Sequence, residues 1–570
     1  MNFEDIAKKW ALFCKVKYDK IDLNSVVSKV VAEIPEIKKD IKKYIPKIKE
    51  IVEKINIIDK EKAKIILENE FPEILAAKKE EKKDKIDYLE EAEYGKVKTR
   101  FAPNPSGYLH IGHAKAIVLS YYFAKKYNGK FILRLEDTDP KVKKPLIEAY
   151  EKIIHDVEWL IEDKIDEIYI QSERLNIYYT YAKKLIELGY AYVDLCNSEK
   201  IKDNRKKGIA CEHRSKDIDW NLEQFKKMLD GEYDEGQAVL RIKTDINHPN
   251  PSIRDWIAFR VINPEKNPHP WLLYKYGENY AKKFWVWPTY NFSVSIDDHL
   301  MEITHVFRMK EHEVNTYKQK YIFDYFGWKM PKIINYGAFL VKDVPLHKSE
   351  IRKLINEGKI DGWDYPFLAT LMALRRRGIQ PKAIKKYVLE IGISLVDSYI
   401  DWERIHSYNR EIIDSFSKRF FIIRNPIKVI IRNIKIPKEV ILKNHPKEDL
   451  GERKIIIKSN IFYLEKSDVL NNKYLRLMDA FNIEVEKIEE DKAICKYISD
   501  SLEDAKKINA KIVQWVSEED SINIKILEPS GIINAIGESN LKFVNDGEII
   551  HAIRYGFLKK EKDKFIFMHK

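Results

Sequence analysis

Thr99-Arg100-Phe101-Ala102-Pro103-Asn104-Pro105-Ser106-Gly107-Tyr108-Leu109-His110-Ile111-Gly112-His113-Ala114 decides how this chain folds. A β-favouring run ends at Ala102, a turn rich in proline and glycine follows, and helical spacing begins at about His110. His110 and His113 then stand one turn apart at a helix amino terminus, where free backbone N–H groups and the positive dipole end attract phosphate. Gly107 and Gly112 let a nucleotide approach the backbone closely. Taken alone, two histidines three apart are usually a satisfied pair, and metal ligation lacks a third acidic or thiol ligand nearby.

Working outward, strand-like runs alternate with helical ones: Phe131–Leu135, then helical Pro145–Leu160, strand-like Glu167–Gln171, then helical Leu175–Leu188. This rhythm predicts a parallel sheet wrapped by helices, with ligands at the carboxyl ends of the strands. It breaks at Ala191 into polar, proline-rich sequence such as Asn247-His248-Pro249-Asn250-Pro251, which reads as an insertion, and resumes at Trp285–Phe292, helical Glu311–Tyr325 and a strand near Ile333–Val341. Helical sequence from Pro366 to about Arg419 gives way beyond Arg424-Asn425-Pro426 to short β-branched runs that suggest β-barrels. Before Gly95, Ile34, Ile37, Ile41, Ile48, Ile51 and Ile55 keep helical spacing, and the charged run Lys78–Lys85 reads as a linker.

The resulting plan is multidomain. It has an N-terminal helical appendage and linker (1–95), the first half of a Rossmann-like catalytic α/β domain (96–190), an α+β insertion (191–283), the second half of that domain (284–365), a helical connector (366–419) and all-β barrels (420–570). A length of 570 residues accommodates several domains at roughly 150 residues each. A net charge of +12 suits a polyanionic partner, though a Lys- and Ile-rich thermophile surface would carry the same excess. Four scattered cysteines, no leader-like amino terminus and no long apolar run point to the cytoplasm and away from a membrane.

With its flanks, Thr99–Ala114 closely resembles the HIGH signature of class I aminoacyl-tRNA synthetases. Segments similar to the glutamyl and glutaminyl members recur at Arg134–Pro140, Ile303–Arg308, Ala373–Ile379, His445-Pro446, Leu450–Arg453 and Arg554–Phe557, so the resemblance runs from about Lys96 to the last residue. It implies an enzyme of the archaeal glutamyl type that joins L-glutamate to tRNA(Glu) through an adenylate, with ATP as a substrate and Mg²⁺ beside it. Such relatives typically activate glutamate only with tRNA bound. Charging of tRNA(Gln) as well, and a protein partner for residues 1–95, stay open. Pro103, Gly107, His110, Gly112 and His113 would meet ATP; Arg100, Tyr290 and Arg308 would meet the substrate side chain; Glu136 would accept its α-ammonium group.

Arg308 separates glutamate from glutamine. An arginine fork matches a carboxylate in shape and charge, whereas an amide leaves it without counter-charge, and glutaminyl relatives have an uncharged residue there. The bland alternative for Arg308 is a surface ion pair with Glu311. The rival functions are a glutaminyl-tRNA synthetase and a catalytically silent tRNA-binding paralogue.

Alignment on Gly362-Trp363-Asp364 puts Pro345-Leu346-His347-Lys348-Ser349 where the family carries its second phosphate-binding loop; Lys348 and Ser349 match the motif, the first lysine is absent, and Glu350 follows. In the insertion, Asp194 and Cys196 with Cys211 and His213 form two short-spaced pairs able to ligate zinc, set here second to plain thiols. Lys418, Arg419, Phe420, Phe421, Arg424, Arg554, Tyr555, Phe557, Lys559 and Lys560 mix cations with aromatics; such scattered residues are usually core and surface, and it is the resemblance to the anticodon-binding β-barrels of glutaminyl and archaeal glutamyl enzymes that implies stacking on unpaired anticodon bases.

Overall fold

Strands buried on both faces of a sheet must be apolar almost throughout, and Phe131–Leu135 meets that requirement: all five residues are buried. The computed structural model describes residues 3–18, 21–71, 88–342, 344–345 and 348–570. In it, β1 (Lys98–Phe101), β2 (Lys130–Leu135), β3 (Glu167–Ile170), β4 (His305–Met309) and β5 (Lys332–Tyr336) form a parallel sheet in the spatial order β3-β2-β1-β4-β5. The strand order reverses at β1, so a crevice opens where β1 and β4 part, the place where such sheets bind ligands. Arg100, Glu136 and Arg308 come from the carboxyl ends of β1, β2 and β4, which brings them together although over 200 residues separate the outer two.

Helix α1 (Ile111–Lys126) packs against this sheet and is buried along most of its length, through Ile111, Ala114, Ile117, Val118, Leu119, Phe123 and Ala124. Phe123 stacks on Phe307 of β4, with ring centroids 5.2 Å apart. Truncating such a fully buried ring to alanine costs about 3–5 kcal/mol.

The insertion holds a four-stranded antiparallel sheet, Ala191–Asp194, Val239–Ile242, Ile257–Val261 and Val286–Pro288, in that spatial order. The run at Trp285, expected to rejoin the parallel sheet, therefore pairs with the insertion; a short apolar run does not reveal its partner strand. The chain returns to the crevice with α2 (Tyr290–Leu300), β4 and α3 (Glu313–Phe326). The strand expected over Ile333–Val341 is also broken. Gly337 ends it, because a Cβ there would lie 2.3 Å from the backbone of Val396, and Phe339–Leu340 instead pairs in parallel with Ser398–Tyr399 inside the region expected to be wholly helical. The other elements of that region are helices at Leu371–Arg377, Pro381–Ile391 and Trp402–Ile413.

Beyond Ser417 the expected β-barrels take the form of two seven-stranded mixed sheets, each with its own apolar core, and a two-stranded ribbon at Lys438–Lys443 and Glu452–Ile457. Residues Met1–Tyr88 are a separate compact unit. Its helices, Phe3–Tyr18, Leu23–Glu33, Ile41–Asn56 and Lys60–Glu70, bury Ile37, Ile48 and Ile55 and partly bury Ile34, Ile41 and Ile51, as their helical spacing requires. The charged run Lys78–Lys85 lies outside the described residues. Among the described residues no helix is long and apolar enough to cross a membrane.

Candidate active site

His110 is the N-cap of α1. Its Nδ1 accepts from the N–H of Gly112 at 3.1 Å, and Nδ1 of His113 accepts from the N–H of His110 at 3.1 Å, so the two rings cap the helix reciprocally with centroids 4.0 Å apart. A ring nitrogen that accepts carries no proton, which assigns both imidazoles to the neutral tautomer with Nε2–H as a donor. Burial reinforces this for His110, pushing its pKa down to about 4. Gly112 is needed by the cap itself, since a Cβ there would sit 2.8 Å from the His110 ring. The turn is pinned from outside by Ile111 N–H to Ala369 O and Leu371 N–H to Leu109 O, both 2.9 Å.

Pro103, Ser106, Gly107, His110 and His113 line a cavity of about 270 Å³ that Trp363, Thr370 and Pro345 complete. Of the expected second phosphate loop, Leu346, His347 and the side chain of Lys348 lie outside the described residues. The backbone of Lys348 starts the helix Lys348–Asn356, and Ser349 is exposed.

A second cavity, about 480 Å³, shares Asn104 with the first and is lined by Glu136, Thr138, Arg260, Tyr290, His312 and Asn315 among others. Asn104, which carried no role in the sequence reading, joins the two: its Nδ2 donates to Glu136 O at 2.6 Å and its Oδ1 accepts from the N–H of Ser106. Glu136 is buried, which raises its pKa, while Oε1 accepts two bonds from Arg134, at 3.0 and 3.2 Å. Arg134 also donates to Asp298 at 2.7 Å, and Asp298 accepts from Arg100 at 3.3 and 3.4 Å. Burial works to raise the Asp298 pKa, yet Arg100 and Arg134 hold it below the ordinary value.

Arg308 is built differently. Nη1 donates to Gln319 Oε1 at 3.0 Å, Nη2 donates to Thr316 Oγ1, and Nε has no partner. Among the described residues no carboxylate reaches ion-pair distance of it, Glu311 included. Tyr290 faces Arg100 and Arg308; burial raises its pKa and the two cations oppose that rise. Sequence reasoning missed Asp298, Thr316 and Gln319 because their partners lie on other strands; an Asp-Asp pair and an amide on α2 and α3 carry no local signal.

In the insertion, Asp194, Cys196, Cys211 and His213 place one ligand atom each within 4.8 Å of one another. Five of the edges run from 3.1 to 3.7 Å: Cys211 to His213 at 3.1, Asp194 to His213 at 3.2, Cys196 to Cys211 and Cys211 to Asp194 at 3.3, and Cys196 to His213 at 3.7 Å. Zinc bonds of about 2.0–2.3 Å demand tetrahedral edges of about 3.3–3.8 Å, so the donor set fits a zinc ion. Arg241 holds the other Asp194 oxygen at 2.6 Å and turns Oδ1 to the thiols.

In the β-sheets, Phe420, Phe421 and Phe557 are core residues, 5%, 1% and 1% exposed, so the base stacking expected of them is ruled out by packing. Arg424, Arg554 and Tyr555 do line a cavity of about 400 Å³, with Gln514 and Lys570.

Residues 96–415 match the family described as tRNA synthetases class I (E and Q), catalytic domain, and residues 417–500 match the anti-codon binding domain of the same class. The chain belongs to this family. Like other class I synthetases of the E and Q group it uses ATP as a substrate. It is 44% identical to glutamate–tRNA ligase of Nanoarchaeum equitans over 98% of this chain and 99% of that protein, and 44% identical to glutamate–tRNA ligase of Methanocaldococcus jannaschii over 98% of each. Its similarity to a glutamate tRNA ligase structure from Elizabethkingia meningosepticum is 23% identity at a TM-score of 0.40, over 56% of this chain and 70% of that one.

Proposed function

We propose that this synthetase ligates L-glutamate to tRNA(Glu) through a glutamyl-adenylate, releasing pyrophosphate and AMP. The observation that carries the reading is Arg308: a buried guanidinium with neutral hydrogen-bond partners, beside Tyr290, which lines the larger of the two cavities that share Asn104. A glutamate side chain supplies the missing counter-charge, and glutamine does not. The names of the two full-length relatives support the same reading.

The substrate α-carboxylate attacks the α-phosphate of ATP, and the bond to the β-phosphate breaks. The Nε2–H groups of His110 and His113 donate to phosphate oxygens, where fixed donors lower the barrier without reorganising. Lys348 supplies a cation for the phosphates, and Mg²⁺ bound to ATP would neutralise the triphosphate. Glu136, held by Arg134, receives the α-ammonium group. A terminal ribose hydroxyl of the tRNA then attacks the adenylate carbonyl, and AMP leaves. No enzyme nucleophile is involved; the protein positions the reactants.

Asp194, Cys196, Cys211 and His213 would hold a structural zinc in the insertion that meets the acceptor stem, and the cavity of Arg424, Arg554 and Tyr555 takes an anticodon base. The enzyme acts in the cytoplasm, where its four free cysteines stay reduced.

The test is aminoacylation of tRNA(Glu) and tRNA(Gln) with each amino acid, with ATP, Mg²⁺ and tRNA all present. Glutamate charging of tRNA(Glu), with glutamine far poorer, is the expected result; charging with glutamine alone would sink the reading. The tRNA(Gln) arm decides the second acceptor. Elemental analysis showing one zinc per chain, lost in Cys211→Ser, checks the metal.

A further inference from the structure

Arg308 has only N–H groups to offer, so whatever surrounds it must present oxygen. Gln319 of α3, 2% exposed, turns its Oε1 to Nη1 at 3.0 Å, which leaves its own Nε2 needing an acceptor. Asn291 of α2, 8% exposed, provides Oδ1 at 3.3 Å and passes the demand on, its Nδ2 donating to Asn315 Oδ1 at 3.1 Å. Asn315 reaches Nδ1 of His312 at 3.1 Å, and both line the larger cavity. From the guanidinium to the cavity wall the polarity is thus handed along four neutral side chains in one direction. The other buried guanidiniums of this part of the chain are treated otherwise: Arg100 and Arg134 meet Asp298, and Arg241 meets Asp194.

This arrangement has a chemical consequence. An amide satisfies the geometry of a guanidinium and leaves its charge intact, whereas a glutamate at the same position would satisfy both. Each amide in the chain is also locked in one orientation by the next, so Gln319 cannot rotate to present its NH₂ group to Arg308 without breaking its bond to Asn291.

We propose that Gln319, oriented by Asn291, is a specificity-positioning residue of this synthetase: it holds Arg308 in place while keeping its charge uncompensated, so that only an acidic substrate side chain completes the site. The inference rests on the glutamate reading above and adds to it the residue that protects the charge.

The decisive variant is Gln319→Glu, nearly identical in shape. The installed carboxylate takes the place of the substrate's, so kcat/KM for glutamate falls by about a hundredfold or more and the preference for glutamate over glutamine falls with it. Gln319→Leu, which removes the support without adding charge, weakens glutamate by about tenfold but keeps the preference for it over glutamine. In both, KM for ATP is unchanged, a result that a merely structural role would not give. Aminoacylation of tRNA(Glu) with each amino acid reads all three quantities.

If Gln319→Glu scales both amino acids down equally, or leaves their ratio as in the wild type, the proposal is overturned. Should that variant fail to fold, Thr316→Asp brings a carboxylate to Nη2 from the other side, and an unchanged ratio in the folded Thr316→Asp enzyme overturns it equally. A wild-type chain without glutamate preference would instead refute the underlying function. Wild-type preference with an unaffected Gln319→Glu ratio removes this inference alone.

Discussion

Two buried arginines stand at the ends of neighbouring parts of the same sheet and are used in opposite ways. Arg134 is fully buried and meets Glu136 and Asp298, so its charge is cancelled from within. Arg308, 5% exposed, meets a glutamine and a threonine. Burying a charge is costly unless it is paired, and folded chains ordinarily pair it internally. A buried cation left with neutral partners therefore marks a place where the partner comes from outside. The first arginine is architecture that fixes Glu136; the second is the one proposed to meet the substrate carboxylate.

The sharpest break in that comparison is Arg134→Met. Removing the shared counter-charge leaves Glu136 and Asp298 buried and less compensated, and the expected loss is about 3–5 kcal/mol of stability, read as a fall in the denaturation midpoint. Arg308→Ala should behave in the reverse manner. Its melting temperature stays within a few degrees of the wild type while kcat/KM for glutamate drops by roughly a thousandfold, because the substrate carboxylate loses the guanidinium that no carboxylate among the described residues pairs. If the two variants lose stability alike, the distinction between architecture and substrate binding fails.

The smaller effects lie at the other cavity. His113→Ala removes one preorganised donor and should slow adenylate formation by roughly a hundredfold with little change in melting; an unaltered rate would take it out of the mechanism. His110 should titrate near pH 4 in NMR, well below the ordinary imidazole value of about 6.5. The native chain then binds fewer protons than the unfolded one between those values. The contribution of His110 to stability is accordingly whole above about pH 6.5 and is lost as the pH falls toward 4. A midpoint near 6.5 would remove the neutral-donor assignment.

Much of the crevice was legible before any coordinates. The strand, turn and helix over Thr99–Ala114 appear at Lys98–Phe101 and Ile111–Lys126, because glycine, proline and an N-cap act on the backbone within a few residues. Where partner choice mattered the reading went astray. Val286–Pro288 joined the insertion, Phe339–Leu340 split from β5 at Gly337 and found Ser398–Tyr399, and Phe420, Phe421 and Phe557 went into cores in place of facing bases. The Asp-Cys-Cys-His cluster shows the same limit from the other side: two short-spaced pairs are weak in sequence, and only folding brings Asp194 and Cys196 to Cys211 and His213.

By itself the sequence determined the local events: which runs become strands or helices, where α1 begins, and which residue types are available at the strand ends. Those follow from backbone sterics, capping and apolar spacing, which act over a handful of neighbours. The tertiary structure alone decided which buried charges are cancelled. Whether an arginine meets an aspartate or an amide depends on side chains up to 198 positions away, as with Arg100 and Asp298, and no local pattern encodes that meeting. The electrostatic character of the site, and with it the choice of substrate, is a property of packing.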